Sequence, residues 1–313
     1  MVTPLKAHEE PSTCPPGSGA PLLPRHVLLV FVDGVGIPRG DLSESIYGDC
    51  PRLCNLLQKH CVPLDAQLGV PGKPQSATGQ TALLTGRNAA AEAGGHIEGF
   101  PNAELRTIIE DTNLLGAIRT AGKHPTFANA YVLGPGGNLP LSLRSVTTVA
   151  TLSALGTTRT RQDLLAGQAV YHDITRETLP ERGVTGIPPI SEQTAAQHLV
   201  DILRSVDFCL FEFFLTDHMG HRGDIPAKKR ILHRLDAFLD HVVGHMNPHR
   251  ELLLLVSDHG NIEDTTKRGH SDNPVPWVAY GCGAEEARRS MGSLTDVTPR
   301  ILQLLDPGSE THR

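Results

Sequence analysis

Several signatures are missing from this chain, and each absence narrows what it does. There is no excess of positive charge: the formal net charge is −6, so the electrostatic footprint of a nucleic-acid binder is lacking. No apolar run approaches the roughly 20 residues of a membrane helix. The first 25 residues are rich in Pro, Gly and Ser and have no apolar centre, so they do not read as a secretory signal. They read as a disordered lead-in. Six Cys form no Cys-x-x-Cys pair, which argues against a disulfide framework and against a tight structural zinc site. Reduced thiols and a cytoplasmic location are expected. The remaining composition, 39% hydrophobic and 20% charged, is that of a soluble globular protein. Its 313 residues suffice for one large α/β core with a smaller second domain.

Three apolar runs stand out. Residues 27–32 end in Asp33-Gly34, residues 208–215 end in Thr216-Asp217-His218, and residues 252–256 end in Ser257-Asp258-His259-Gly260. Glu212 interrupts the second run. Short apolar runs without helical period read as buried central strands. In open α/β sheets, ligands bind at the carboxyl ends of such strands. Three strand ends thus each deliver an Asp to one rim.

Histidines join them. His221 follows Asp217 by four residues, a spacing that shares a helix face or, through Gly220, bends back in a loop. His259 adjoins Asp258, and His270 lies in a polar loop, residues 269–276, held by two prolines. Asp33, Asp217, Asp258, His221, His259 and His270 together can hold two divalent ions with open positions, and mixed oxygen and imidazole donors suit Mn or Zn. Two ions about 4 Å apart clamp the attacking and leaving oxygens of an in-line displacement at phosphorus. Ser76 opens a predicted helix that Gly86 closes. Backbone N–H groups there favour an anion, and metal coordination would activate the hydroxyl. Its plain alternative is a helix N-cap.

The periodicity predicts further helices over residues 50–60, 161–169, 192–204 and 226–246, and a closing one over 294–305. His233, His241 and His245 on the 226–246 helix read as surface or boundary residues. Between 93 and 205 the texture changes: strand-like pieces at 126–132 and 146–150 alternate with turns such as Gly134-Pro135-Gly136-Gly137. This region reads as an inserted α+β cap domain, 93–205, on a metal-binding core of residues 26–92 and 206–313. Arg144, Arg159 and Arg161 in it are candidates for a second phosphate or carboxylate of a substrate, against a plain reading as solvated charge. Tyr171-His172-Asp173 is a further polar cluster with no assigned place.

The motifs carry a resemblance. The chain is similar to the alkaline phosphatase superfamily, closest to the branch of cofactor-independent phosphoglycerate mutase and phosphopentomutase. Val32-Asp33-Gly34-Val35-Gly36 resembles that branch's first metal loop, and Ser76-Ala77-Thr78-Gly79 its nucleophile segment. Asp217-His218-Met219-Gly220-His221 resembles its Asp-x-x-Gly-His, and Ser257-Asp258-His259-Gly260-Asn261 and the segment opening at His270 resemble its last two motifs. The resemblance implies a three-layer core with a mostly parallel sheet. It implies one metal on Asp217, His221 and His270, and another on Asp33, Asp258 and His259, with Ser76 as nucleophile and bridging ligand. It also implies a phosphoserine intermediate and a small phosphate ester as substrate. Two features depart from the mutases: Gln80 stands where they have His, and the insert is shorter than the phosphoglycerate mutase's second domain. Gly99-Phe100-Pro101 is nearer to phosphopentomutase. The reading is therefore a phosphomutase or phosphatase acting on a phosphomonoester. A phosphodiesterase on the same core, or a non-catalytic metal-binding protein, is the alternative; a sulfatase is disfavoured, because the segment opening at Ser76 lacks the Arg that sulfatases carry.

Overall fold

The structure is a computed structural model that describes residues 23–132 and 140–306. Most of the lead-in and the turn at Gly134-Pro135-Gly136-Gly137 lie outside the described residues. β1 (His26–Val32) shows why the sequence runs apolar without a break. Alternate side chains of a strand point to opposite faces. Val27, Leu29 and Phe31 enter one hydrophobic cluster, and Leu28, Val30 and Val32 enter a second. With both faces covered, no position along the strand is left for a polar side chain.

β2 (Cys61–Leu64), β3 (Pro125–Phe127), β4 (Phe208–Phe213), β5 (Glu251–Val256) and β6 (Val275–Gly281) complete a six-stranded sheet in the order β2-β6-β5-β1-β4-β3. β1 runs parallel to β4 and β5, and β3 parallel to β4. β6 is antiparallel to β5, and β2 is antiparallel to β6. The protein is α/β with a mostly parallel sheet, as the sequence implies.

The helices, in chain order, are α1 (Pro51–Lys59), α2 (Ser76–Thr85), α3 (Ala89–Glu92), α4 (Ala103–Asp111), α5 (Leu114–Thr120), α6 (Val146–Leu155), α7 (Arg161–Leu165), α8 (Glu192–Arg204), α9 (Leu215–Arg222), α10 (Ile225–His245), α11 (Ala284–Arg288) and α12 (Val297–Leu305). α2, α4, α5, α6 and α12 cover one face through residues such as Leu83, Ile109, Leu115, Val149 and Ile301. α1, α8 and α10 cover the other through Leu56, Leu199 and Leu239. Three layers result.

The structure departs from the sequence reading in four places. Residues 146–150 are not strand-like but open α6, because the Ser145 side chain caps the Thr148 N–H and the β-branched run is buried against α4 and α5. Strand pairing over 126–132 stops at Phe127 and continues as single bridges, Asn129 to Val170 and Ala130 to Arg159. The 208–215 run ends as a strand at Phe213, and Leu215 begins α9, so Asp217 and His221 share a helix face.

The fourth departure concerns the insert. β3 pairs with β4 inside the main sheet, and α4, α5, α6 and α8 belong to the two helical layers. Residues 93 and 205 therefore do not bound a unit of packing. What stands apart is a small cluster of Ala130, Leu164, Ala169, Tyr171, Leu179, Val184 and Ile187 beside the rim.

Candidate metal centre

β1, β4 and β5 end on the same rim, and each hands over its Asp there. Asp33 leaves β1 and is followed by Gly34 in the left-handed region, at φ 71°. A Cβ at Gly34 would sit 2.7 Å from Asp217 Cβ, so only glycine lets the β1 loop and α9 approach this closely. Asp217 lies in the first turn of α9, and Asp258 and His259 follow β5 with no solvent exposure. His270 comes from the loop before β6. Its Nδ1 lies 2.8 Å from the Pro74 carbonyl, which fixes Nδ1 as the donor and leaves Nε2 as a ligand atom.

Ser76 is the first residue of α2, and Gln75 takes the N-cap position without a side-chain cap bond. Ser76 is thus not the N-cap of the plain reading. Its Oγ points to His259 Nε2 at 2.9 Å. Gly79, one turn on, faces Asp258, whose carbonyl oxygen would be 2.8 Å from an added Cβ. Small residues on this face let α2 lie against the β5 loop.

His259 is the hub. Its Nε2 is 3.2 Å from Asp33 Oδ1, 3.7 Å from Asp258 Oδ2 and 3.9 Å from Asp217 Oδ1. Its ring stacks on His270 with centroids 3.7 Å apart. Two groups have ligand atoms mutually within 4.8 Å: Asp217, His259 and His270, and Asp33, Asp258 and His259. His221 stands at the edge of the first group, with its Nε2 3.0 Å from His270 Nε2 and 3.4 Å from Asp217 Oδ1. All six expected ligands and Ser76 therefore meet at one place.

The electrostatics are those of a site built around cations. Burial raises the Asp33 carboxyl well above its usual range, and Asp258 beside it adds to this. Burial alone would lower His259, but Asp258, Asp33 and Asp217 more than reverse it and push the imidazole to about 10. Burial would likewise raise Asp217, yet His270 and His259 hold it down at about 2. Asp33 Oδ1 is buried and makes no aligned hydrogen bond despite its nearness to His259. Crowded carboxylates, imidazole nitrogens in contact and an orphaned oxygen fit divalent ions.

Gln80 bridges the two carboxylates, its Nε2 donating to Asp258 Oδ2 at 3.0 Å and to Asp33 Oδ2 at 3.2 Å. Sequence reasoning marked Gln80 only as a departure. The centre opens into a cavity of about 560 Å³ lined by, among others, Ser76, Asn129, Tyr131, His172, Arg182, Glu212 and Arg222.

Arg159 is occupied elsewhere, donating to the Phe127 carbonyl at 3.1 Å and Thr126 Oγ1 at 2.9 Å. Arg161 donates to the Thr185 carbonyl at 2.5 Å. Neither lines the cavity, and Arg144 sits between the lining residues Leu143 and Ser145 without lining it. The cations on the cavity are Arg182 and Arg222. Arg222 directly follows His221 and was open to a sequence argument; Arg182 carried no such signal. Tyr171 and His172 do face the cavity. Asp173 beside them is buried and ties the loop through the N–H groups of Arg176 and Thr178.

Comparison with known proteins agrees with this geometry. Residues 160–307 match a family model described as the metalloenzyme superfamily. A 2,3-bisphosphoglycerate-independent phosphoglycerate mutase from Agrobacterium fabrum is 31% identical over 127 residues, which is 38% of this chain and 25% of that protein. One from Methanocaldococcus jannaschii is 30% identical over 105 residues, 34% of this chain and 25% of that protein. The match thus spans about a quarter of the length of these curated relatives. Among solved structures, a Pyrococcus horikoshii protein superposes with a TM-score of 0.56 at 14% identity, covering 93% of this chain and all of that one. Alkaline phosphatase from the Antarctic bacterium TAB5 superposes at 0.51 and 14% identity, covering 91% and 99%. These likenesses are of fold.

Fold and site together place two groups of metal-type ligands on the carboxyl rim of an α/β sheet. Over residues 160–307 the chain is similar to the metalloenzyme superfamily, and its fold is that of the alkaline phosphatases.

Proposed function

We propose that this protein transfers the phosphoryl group of a small phosphomonoester through Ser76. Asp217, His221 and His270 would hold one divalent ion and Asp33, Asp258 and His259 another, with Ser76 between them. Mn²⁺ or Zn²⁺ there would neutralise phosphate charge and lower the pKa of the serine hydroxyl. The observation that carries the reading is the position of Ser76 Oγ, 2.9 Å from His259 Nε2, whose ring lies within 4.8 Å of ligand atoms of both sets, on the first turn of a ten-residue helix and open to the cavity.

Ser76 Oγ forms a bond to phosphorus as the ester oxygen leaves with a proton as the free alcohol. The Oγ–P bond then breaks in favour of water or of a second substrate hydroxyl. The N–H groups opening α2 orient the phosphoryl oxygens, and Gln80 keeps Asp33 and Asp258 side by side. We favour hydrolysis over phosphoglycerate mutation, because Gln80 replaces the mutases' His and the 93–205 segment is shorter than the phosphoglycerate mutase's second domain. A cytoplasmic setting agrees with the free thiols of Cys50, Cys54, Cys61 and Cys209.

The test is phosphate release from a panel of monoesters and one diester by the Mn²⁺- or Zn²⁺-loaded protein. Monoesters should be cleaved, and Ser76→Ala should lose about a hundredfold or more in rate while still binding metal. Phosphorylated Ser76 with isomerised product and little free phosphate would assign a mutase. Preference for the diester would assign a phosphodiesterase. No turnover and no bound metal would leave a non-catalytic protein.

A further inference from the structure

The cavity beside the metal centre is lined by a buried carboxylate with no cationic partner among the described residues and by an imidazole whose ring nitrogens have no hydrogen-bond partner. Glu212 is 5% exposed and lines the cavity, and among the described residues no Lys, Arg or His pairs with it. Its Oε2 accepts from Thr147 Oγ1 at 2.6 Å, and its Oε1 has no hydrogen-bond partner among the described residues. Its backbone is pinned by the Asn129 amide, which donates to the Glu212 carbonyl at 2.7 Å and accepts from its N–H at 2.9 Å. The carboxylate is therefore held in place rather than swinging to water. His172, 8% exposed, has both ring nitrogens buried without a partner. It is clamped between Tyr171 and Phe214, with centroids 4.1 and 4.5 Å away, on a loop where Ile174 and Arg176 take positive φ. Strain of that kind persists where the surroundings over-determine a conformation. A buried carboxylate without a counter-ion and an imidazole without partners are both costly unless a ligand completes them.

The hydroxyls beside Glu212 set the sign of the missing group. Thr147 donates to the carboxylate, so its lone pairs take the proton of Ser145 Oγ, 2.9 Å away. Ser145 in turn can accept from Thr148 Oγ1 at 2.8 Å, and Thr148 is bonded to the Tyr131 hydroxyl. With Glu212 ionised, every proton in this chain points toward it, and Ser145, Thr148 and Tyr131 show the cavity lone pairs. This row of hydroxyls accepts; the cationic donors of the cavity are Arg182 and Arg222. Aromatic faces of Tyr131, Tyr171 and Phe214 also line the cavity and favour a cation.

We propose that this cavity recognises the organic part of a phosphomonoester that carries an ammonium group, with Glu212 as its counter-charge and His172 as a second acceptor. The substrate class is then the phosphate ester of an amino alcohol. This rests on the phosphoryl-transfer reading for the placement of the phosphate, but not for the recognition of the amine.

The experiment compares phosphoethanolamine with ethyl phosphate, which lacks the ammonium group, on Mn²⁺-loaded wild type, Glu212→Gln and His172→Phe. Calorimetric binding to the Ser76→Ala background is read beside KM and kcat. The wild type should bind phosphoethanolamine about tenfold or more tightly than ethyl phosphate. Each substitution should reduce that preference through KM, leaving ethyl phosphate binding unchanged. His172→Phe keeps the ring stack and serves as the independent variant should Glu212→Gln fold poorly. Equal binding of the two esters by the wild type, or a preference that survives both substitutions, overturns the proposal. Selective amine binding without turnover would leave the proposal standing and sink the phosphoryl-transfer reading.

Discussion

Glu212 is the residue whose chemistry departs most from its surroundings. It sits in a strand of otherwise apolar residues, and burial pushes its carboxyl up to about 7 from an ordinary 4.5, with Asp258 adding to the rise. The consequence for stability has a definite sign. Between pH 4.5 and about 7 the folded protein keeps a proton that the unfolded chain has lost, so stability falls as pH rises through this window. The full cost is on the order of 3 kcal/mol before the surroundings relax. Glu212→Gln should flatten that decline, so that urea midpoints of the metal-free variant at pH 5 and pH 8 differ less than those of the wild type. A decline of the same size in both proteins would assign it to another group. The hydrogen bond from Thr147 survives the substitution, because the amide oxygen still accepts.

At the scale of elements, the site depends on how closely three loops approach. Gly34 is one close point: its φ of 71° and the 2.7 Å approach of Asp217 Cβ leave no place for a methyl group. Gly34→Ala should move the β1 loop away from α9, separate Asp33 from Asp217, and cost about 1–3 kcal/mol in stability from backbone strain alone. Metal binding followed by calorimetry should weaken more than thermal stability does. An unchanged affinity would mean that the two carboxylates tolerate the shift.

The same elements explain what the sequence disclosed. β1, β4 and β5 were legible because strands buried on both faces leave an unbroken apolar run, and the Asp at each end then marks the rim. α2 was legible from Ser76 and Gly86. α6 was not, because Val146, Thr147, Thr148 and Val149 have strand preferences that burial against α4 and α5 overrides. The insert misled for a related reason. Its elements are short and Gly-punctuated, yet β3 completes the sheet edge, and an edge strand of three residues carries almost no pattern. Glu212 was visible as an interruption, but only the fold shows that it faces a cavity. Arg159 and Arg161 bond to backbone carbonyls away from the cavity, and side-chain partners cannot be read from composition.

Across the whole molecule, the metal centre joins the ends of β1 and β5, the start of α2, the first turn of α9 and the loop before β6. Cation binding should therefore stabilise the entire core and not one loop. At a free metal concentration a hundredfold above Kd the gain is about 2.7 kcal/mol. Each kcal/mol raises Tm by roughly 2–4 °C for chains of this order of size, so loading a chelator-treated sample should raise it by several degrees. The pH dependence of that rise follows from His259. Its folded pKa, about 10, is raised from 6.5, so without metal the ion pairs of His259 stabilise fully below pH 6.5 and are lost as pH climbs through about 10. A metal ion needs the neutral imidazole and must displace that proton. The metal-induced rise in Tm should thus grow from pH 6 to pH 9, and titrations at pH 7 in buffers of different ionisation enthalpy should report proton release. His259→Ala should lose most of the rise, since this residue belongs to the Asp33 and Asp258 set and its ring nitrogen also lies within 4.8 Å of the ligand atoms of Asp217 and His270. A rise independent of pH, or one retained in His259→Ala, would place the stabilising ion somewhere other than this centre.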